Sequence, residues 1–231
     1  MLQYNYGNYK YLGLLAALSI TFALASNFVT ARLVPFFGVP VSVSIYTFPV
    51  VYLISDILTE VYGYAYARSI LWLTVICRVL AGIMVWLMLQ IPAAPIFHDE
   101  AAYQTVLSTG LRMAVAALIA VFAGDICNSY ILAKMKIWMG GRRLWARFVV
   151  STFFGEGVNT LVFYFMAFYG VLELTTLLTA IVAGTLAKTA WEIIALPLTY
   201  PVVRRLKSIE KVDYYDRNTD FNPFITTVKS R

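Results

Sequence analysis

Ser151-Thr152-Phe153-Phe154-Gly155-Glu156-Gly157-Val158-Asn159-Thr160 decides how this chain is read, because a carboxylate and an amide stand inside a run that is otherwise soluble in lipid. Wound as a helix, the stretch puts Thr152, Glu156, Asn159, Thr160 and Phe163 on one face, since residues three and four apart lie one above the other. A carboxylate at mid-membrane depth costs roughly 2.5–3.5 kcal/mol on insertion scales, so it needs a partner, a water-filled cavity or a function.

Composition places that helix in a bilayer. Of 231 residues, 61% are hydrophobic and 13% charged, whereas charged residues make up about a quarter of an ordinary globular domain. The formal net charge of +6 does not indicate a nucleic-acid binder, because the basic residues gather at the ends of long uncharged runs. Cys77 and Cys127 both fall inside apolar segments, so free thiols are expected rather than a disulfide framework. The first apolar run lacks the flanks of a cleaved signal and reads as a retained helix.

The pattern predicts an all-α membrane protein. Six transmembrane helices are expected near 11–34, 42–62, 66–91, 105–133, 147–170 and 175–203, each long enough for a hydrocarbon core about 30 Å thick. Lys134, Lys136, Arg142, Arg143 and Arg147 in the fourth connection, with Arg204, Arg205 and Lys207 after the sixth span, mark the cytoplasmic side and put both termini there. Trp72, Trp138, Trp145 and Trp86 read as interfacial anchors, whereas Trp191 is mid-span. Residues 1–207 form one transmembrane domain, and 208–231 a polar cytoplasmic tail expected to dock on the inner face through its aromatics.

Polar residues recur in several spans. The second carries Phe48-Pro49, where a kink is expected, then Tyr52, Asp56, Thr59 and Glu60; the two carboxylates share one helical face and could bind or simply pair with neighbouring cations. The fourth and fifth spans echo one another: Gly124-Asp125-Ile126-Cys127-Asn128-Ser129 and Gly155-Glu156-Gly157-Val158-Asn159-Thr160 both read Gly, acid, two residues, Asn, hydroxyl. The echo marks either an internal repeat or close helix packing through small residues. In the sixth span Lys188, Trp191, Glu192 and Ala195 share a face, Lys188 and Glu192 could neutralise each other, and Pro197 and Pro201 are expected to break the helix. Against Asp56, Glu60, Asp125, Glu156 and Glu192 stand Arg32, Arg78, Arg112 and Lys188, a balance that suggests an interior network. Carboxylates, amides, hydroxyls and aromatics over several spans could also line a midplane pocket for a flat ring.

Ser26-Asn27, Phe48-Pro49, Asp56-Ile57-Leu58-Thr59-Glu60-Val61-Tyr62-Gly63, Asn128-Ser129-Tyr130 running into Leu132-Ala133-Lys134-Met135-Lys136, the 151–160 stretch, Lys188 to Glu192, Pro197-Leu198-Thr199-Tyr200-Pro201 and Phe221 to Phe224 together resemble the queuosine precursor transporter family over nearly the whole chain. The resemblance implies uptake of 7-deazaguanines such as preQ0 and preQ1 across a bacterial cytoplasmic membrane. A guanine-like edge offers a ring N–H beside an amino group, and one carboxylate can accept both bonds. Glu156 is the first choice for that acceptor and Asp125 the second, with Asn128 and Asn159 for the ring carbonyl, and Trp191, Phe163 or Tyr46 to stack the ring. Asn27, Asp56 and Lys188 complete the expected substrate-binding set, and Glu60, Arg78, Arg112 and Glu192 are expected as structural or coupling charges.

A stand-alone secondary transporter is the leading expectation, with proton coupling through Asp56, Glu60 or Glu156. The alternative is a substrate-capture subunit that needs an ATP-driven partner. Against it, Ala16, Ala17, Ala23, Ala25 and Ala31 never fall four apart, as an Ala-x-x-x-Ala contact motif would require. An enzyme is not expected: His98 is the only histidine and lies in an outside connection, and no phosphate-binding glycine loop is present. No metal, cofactor or nucleic-acid partner is expected; a lipid bilayer and a small-molecule ligand are, and a homodimer is plausible.

Overall fold

A computed structural model describes residues 9–29, 32–36, 38–107 and 111–224. The chain runs through α1 (Leu12–Val29), a hairpin of β1 (Leu33–Phe36) and β2 (Val39–Ser42), and a 3₁₀ turn (Val43–Tyr46). It continues through α2 (Phe48–Tyr62), α3 (Tyr64–Met88), α4 (Glu100–Leu107), α5 (Leu111–Trp138), α6 (Leu144–Phe168) and α7 (Leu174–Glu210). Among the described residues, α1, α3, α6, α7 and the Val115–Trp138 part of α5 are long and apolar enough to cross a membrane.

The segment expected at 42–62 does not form a full span. It starts at Phe48 and has 15 residues, roughly 22 Å at 1.5 Å each, and the hairpin occupies the chain before it. Valines favour that extended backbone, Pro35 faces Pro40 in the antiparallel pair, and Gly38 supplies the positive φ of 81° at the turn. Pro49 therefore stands at the beginning of α2, where its missing N–H costs nothing, and does not kink it. The segment expected at 105–133 is divided between α4 and α5. Pro197 and Pro201 do not break α7, which continues through both for 37 residues; in lipid, neighbouring side chains re-satisfy backbone groups that a proline frees.

Two apolar clusters lie at the ends of the bundle. Leu12, Leu58, Leu132, Phe148 and Leu206 pack at the end that carries the basic residues, and Ala116, Ala120, Tyr164, Leu177 and Ala180 at the other. A layer of buried polar residues, Asp56, Asp125, Asn128, Glu156, Asn159 and Glu192 among them, lies between the two. Outward-facing Met84, Ile194 and Leu198 are 63%, 70% and 76% exposed, a surface suited to lipid contact.

The tail crosses the basic end. Gly63, at φ 91°, is the single residue between α2 and α3, and the sharp turn leaves the first N–H groups of α3 without helical partners. Asp216 caps the first of them, both its oxygens accepting from Tyr64 N–H at 3.2 and 3.0 Å. Downstream backbone carbonyls take the donors of α3: Tyr64 Oη donates to Phe221 at 3.1 Å, Arg68 to Asp220 and Asn222 at 2.8 and 2.6 Å, and Trp72 Nε1 to Pro223 at 2.8 Å. Trp72 thus holds the tail, while Trp86, Trp138 and Trp145 are exposed.

Candidate functional site

Helices α5 and α6, joined by a short turn, share the most extensive helix–helix contact. Their closest approach is at the two echoed motifs. A Cβ at Gly124 would lie 2.6 Å from Asn159 Cβ and 2.8 Å from the Gly155 carbonyl oxygen; a Cβ at Gly155 would lie 2.6 Å from Asn128 Cβ and 3.0 Å from the Gly124 carbonyl oxygen. Each glycine makes room for the other motif's asparagine, so the echo is a reciprocal crossing with local two-fold character.

From this crossing the polar side chains fan out to flanking helices. On the α2 side, Asn128 Nδ2 donates to Asp56 Oδ1 at 2.5 Å, and Thr152 Oγ1 to Asp56 Oδ2 at 3.4 Å. Thr59 Oγ1 donates to Ser129 Oγ at 3.3 Å. On the α7 side, Lys188 Nζ meets Glu156 Oε2 at 2.7 Å and lies 3.5 Å from Asn159 Oδ1 and 3.4 Å from Thr160 Oγ1. Asp125 faces Tyr52 and the positive charge of Arg78, and Arg78 also donates to the Ala23 carbonyl at 3.2 Å.

Several atoms in this layer have no hydrogen-bond partner: Glu156 Oε1, Asp125 Oδ1, Asn128 Oδ1, Asn159 Nδ2 and both carboxylate oxygens of Glu192. Their residues are at most 5% exposed. Buried polar groups are ordinarily paired, so the unpaired acceptors and donor of Glu156, Asp125, Asn128 and Asn159 are chemically suited to receive a polar guest.

The expected set divides. Glu156, Asn159, Asp125, Asn128, Asp56 and Lys188 come together. Phe163 is buried one turn away against Tyr164 and Phe168. Trp191 instead lines an apolar groove with Leu53, Ile57, Ala195 and Leu198, because successive residues on a helix diverge by about 100° and Glu192 takes the inward direction. Tyr46 is 52% exposed at the end of the 3₁₀ turn, and Asn27 is half-buried in α1. Arg112 falls in the first turn of α5, with its side chain outside the described residues. The pairing considered for Lys188 with Glu192 does not form; Lys188 reaches across to α6.

Glu60 belongs to a separate charge cluster at the basic end. It is held by Arg147, by Lys207 Nζ at 2.5 Å and by Lys136 Nζ at 3.6 Å; the two lysines also bind Asp213 of the tail at 2.6 and 2.9 Å. Burial alone would raise the Asp213 carboxyl, but its hydrogen bonds and attraction to Lys136 and Lys207 hold it below its ordinary value. Burial pushes Asp216 up, against the bonds from Thr219 and Tyr64. Sequence reading took Lys136, Arg147 and Lys207 as topology markers and did not single out Asp213 and Asp216 as partners. Charge spacing gave no signal that separates buried Lys136 from exposed Lys134. Cys77 and Cys127 are free.

Residues 42–202 match the family model described as "Putative vitamin uptake transporter". A Bacillus subtilis (strain 168) protein named "Probable queuosine precursor transporter" is 25% identical over 190 residues, covering 81% of this chain and 82% of that one. The "Queuosine precursor transporter" of Escherichia coli (strain K12) is 24% identical over 161 residues, 70% of each chain. No solved structure matches.

Proposed function

The chain belongs to this uptake-transporter family, and from that membership we propose that it imports queuosine precursors, 7-deazaguanines such as preQ0 and preQ1, as a stand-alone secondary transporter with six crossings and both termini cytoplasmic. The names of the two relatives support the substrate class. In this reading α2, with the hairpin and 3₁₀ turn ahead of it, makes the sixth crossing.

One observation carries the reading to the site: unpaired Glu156 Oε1 and Asp125 Oδ1 lie in the same buried layer as unpaired Asn159 Nδ2. A guanine-like edge presents N–H donors to the first two and a carbonyl acceptor to the third. Lys188 holds the other oxygen of Glu156 at 2.7 Å, fixing the carboxylate as an acceptor, and Phe163 is the buried aromatic of the expected stacking set. An adenine edge puts its ring-nitrogen acceptor against a carboxylate and its amino donor against the Asn159 amide donor, and is rejected.

The test is uptake of labelled preQ0, preQ1 and queuine by cells unable to make queuosine, followed by the purified protein in liposomes without any ATPase. Wild type is expected to move a 7-deazaguanine in both. Glu156→Gln, at matched membrane abundance, is expected to lose about tenfold or more, since hydrogen bonds to a charged group contribute about 1.5–3 kcal/mol. Full uptake by that variant removes Glu156 from the role, and strict dependence on an added ATPase favours the substrate-capture alternative.

A further inference from the structure

Counting the charges in the buried layer leaves a remainder. Among the described residues, Asp56 on α2, Asp125 on α5, Glu156 on α6 and Glu192 on α7 face two cations, Arg78 on α3 and Lys188 on α7. Three of the four carboxylates have company suited to a negative charge: Asp56 accepts from Asn128 and Thr152, Glu156 is ion-paired with Lys188, and Asp125 faces Arg78 and Tyr52. Glu192 has none. It is 1% exposed, neither oxygen has a donor, and the charges that act on it from α2 and α6 are the like charges of Asp56 and Glu156.

A carboxylate in that position is stable only with a cation brought to it. No group of three or more carboxylate, cysteine or histidine side chains among the described residues is arranged to hold a metal ion, whereas a proton needs no ligand shell and no space. Two carboxylates that cannot both be charged share a proton. We propose that Glu192, facing Asp56, is the group that takes up and releases the proton coupled to substrate movement. This rests on the transport reading above. The step is a simple protonation: the Glu192 carboxylate gains a proton when the layer is open to the side of higher acidity and returns it on the other. Glu60, already held by three cations, has no need of one.

The experiment compares wild type with Glu192→Gln in proteoliposomes under an imposed pH gradient, using labelled preQ0 and preQ1. Wild type is expected to accumulate substrate at least tenfold above equilibrium. Glu192→Gln is expected to lose accumulation while still exchanging labelled for unlabelled substrate near the wild-type rate. Accumulation by the variant equal to wild type overturns the proposal, as does wild-type accumulation that follows a sodium gradient and ignores protons. Loss of exchange by a folded variant, or loss confined to cationic preQ1, would make Glu192 a substrate contact and also overturns it.

If Glu192→Gln does not fold, Glu192→Asp keeps the carboxyl and is expected to retain accumulation with a displaced pH profile; an unchanged profile counts against the proposal. Should wild type move no 7-deazaguanine, the transport reading fails separately. Infrared difference spectra then decide on Glu192 alone: a protonated-carboxyl band that Glu192→Asp displaces supports the assignment, and a spectrum indifferent to the substitution removes it.

Discussion

Arg147 grips Glu60 through both terminal guanidinium nitrogens, with Nη2 3.2 Å from Oε1 and Nη1 on Oε2, and both residues are 1% exposed. The bond ties the beginning of α6 to the end of α2, and Lys136 and Lys207 tie α5 and α7 to the same carboxylate. Glu60→Gln leaves three cations facing a neutral amide. We expect a loss of about 3–5 kcal/mol, as for other buried pairs broken on one side, read as a lowered unfolding midpoint in detergent. Arg147→Met, which leaves Glu60 with two lysines, should cost less.

Lys188 and Glu156 should behave as a unit. Lys188→Met strands a charged Glu156 at zero exposure and should destabilise by about 3–5 kcal/mol. Adding Glu156→Gln to it should recover much of that loss, whereas independent sites would give summed costs. A double-mutant cycle on thermal unfolding measures the coupling.

At the α5–α6 crossing there is no room for a methyl group. Gly155→Ala puts a carbon 2.6 Å from Asn128 Cβ and 3.0 Å from a backbone oxygen, so the helices must separate, at about 1–3 kcal/mol. Gly170→Ala meets nothing within 4 Å but sits at φ 79°, so its cost should be backbone strain alone. Unfolding midpoints of the two variants, together with uptake, distinguish them: only Gly155→Ala should also disturb substrate handling, because it moves Asn128 and Asn159.

Docking of the tail should respond to acid. The Asp213 carboxyl is held below its ordinary value in the folded protein, so its contribution is present above the unfolded value of about 3.9 and is lost as pH falls through the folded one. Tail residues of Asp213→Asn should be cut faster than wild type by a protease at neutral pH, and the difference should begin to narrow as the pH drops below about 4 and close only below the folded-state value. Asp216→Ala, which removes the cap on α3, should cost about 0.5–2 kcal/mol.

The membrane class, the paired echo and the buried ionisable residues were legible because each rests on a local rule: apolar length, helical spacing, or the cost of charge in lipid. Partner choice was not. Lys188 has Glu192 four residues ahead on its own helix and Glu156 on another, and it takes the second; only helix rotation decides that. Lys136 looked like a marker of orientation and proves 1% exposed, because a tail residue, Asp213, comes back to meet it. The hairpin at 33–42 went unread since its valines are as apolar as those of a span, and length rather than hydropathy separates the two.

The bond from Tyr64 to Asp216 closes a separation of 152 residues. The start of α3 therefore waits for residue 216 to be made before the Tyr64 N–H is satisfied, and Arg68 and Trp72 wait for residues 220–223. A chain cut short of residue 213 is expected to leave Lys136, Lys207, Arg68 and the Tyr64 N–H without these partners, so the basic end of the bundle is completed by the tail.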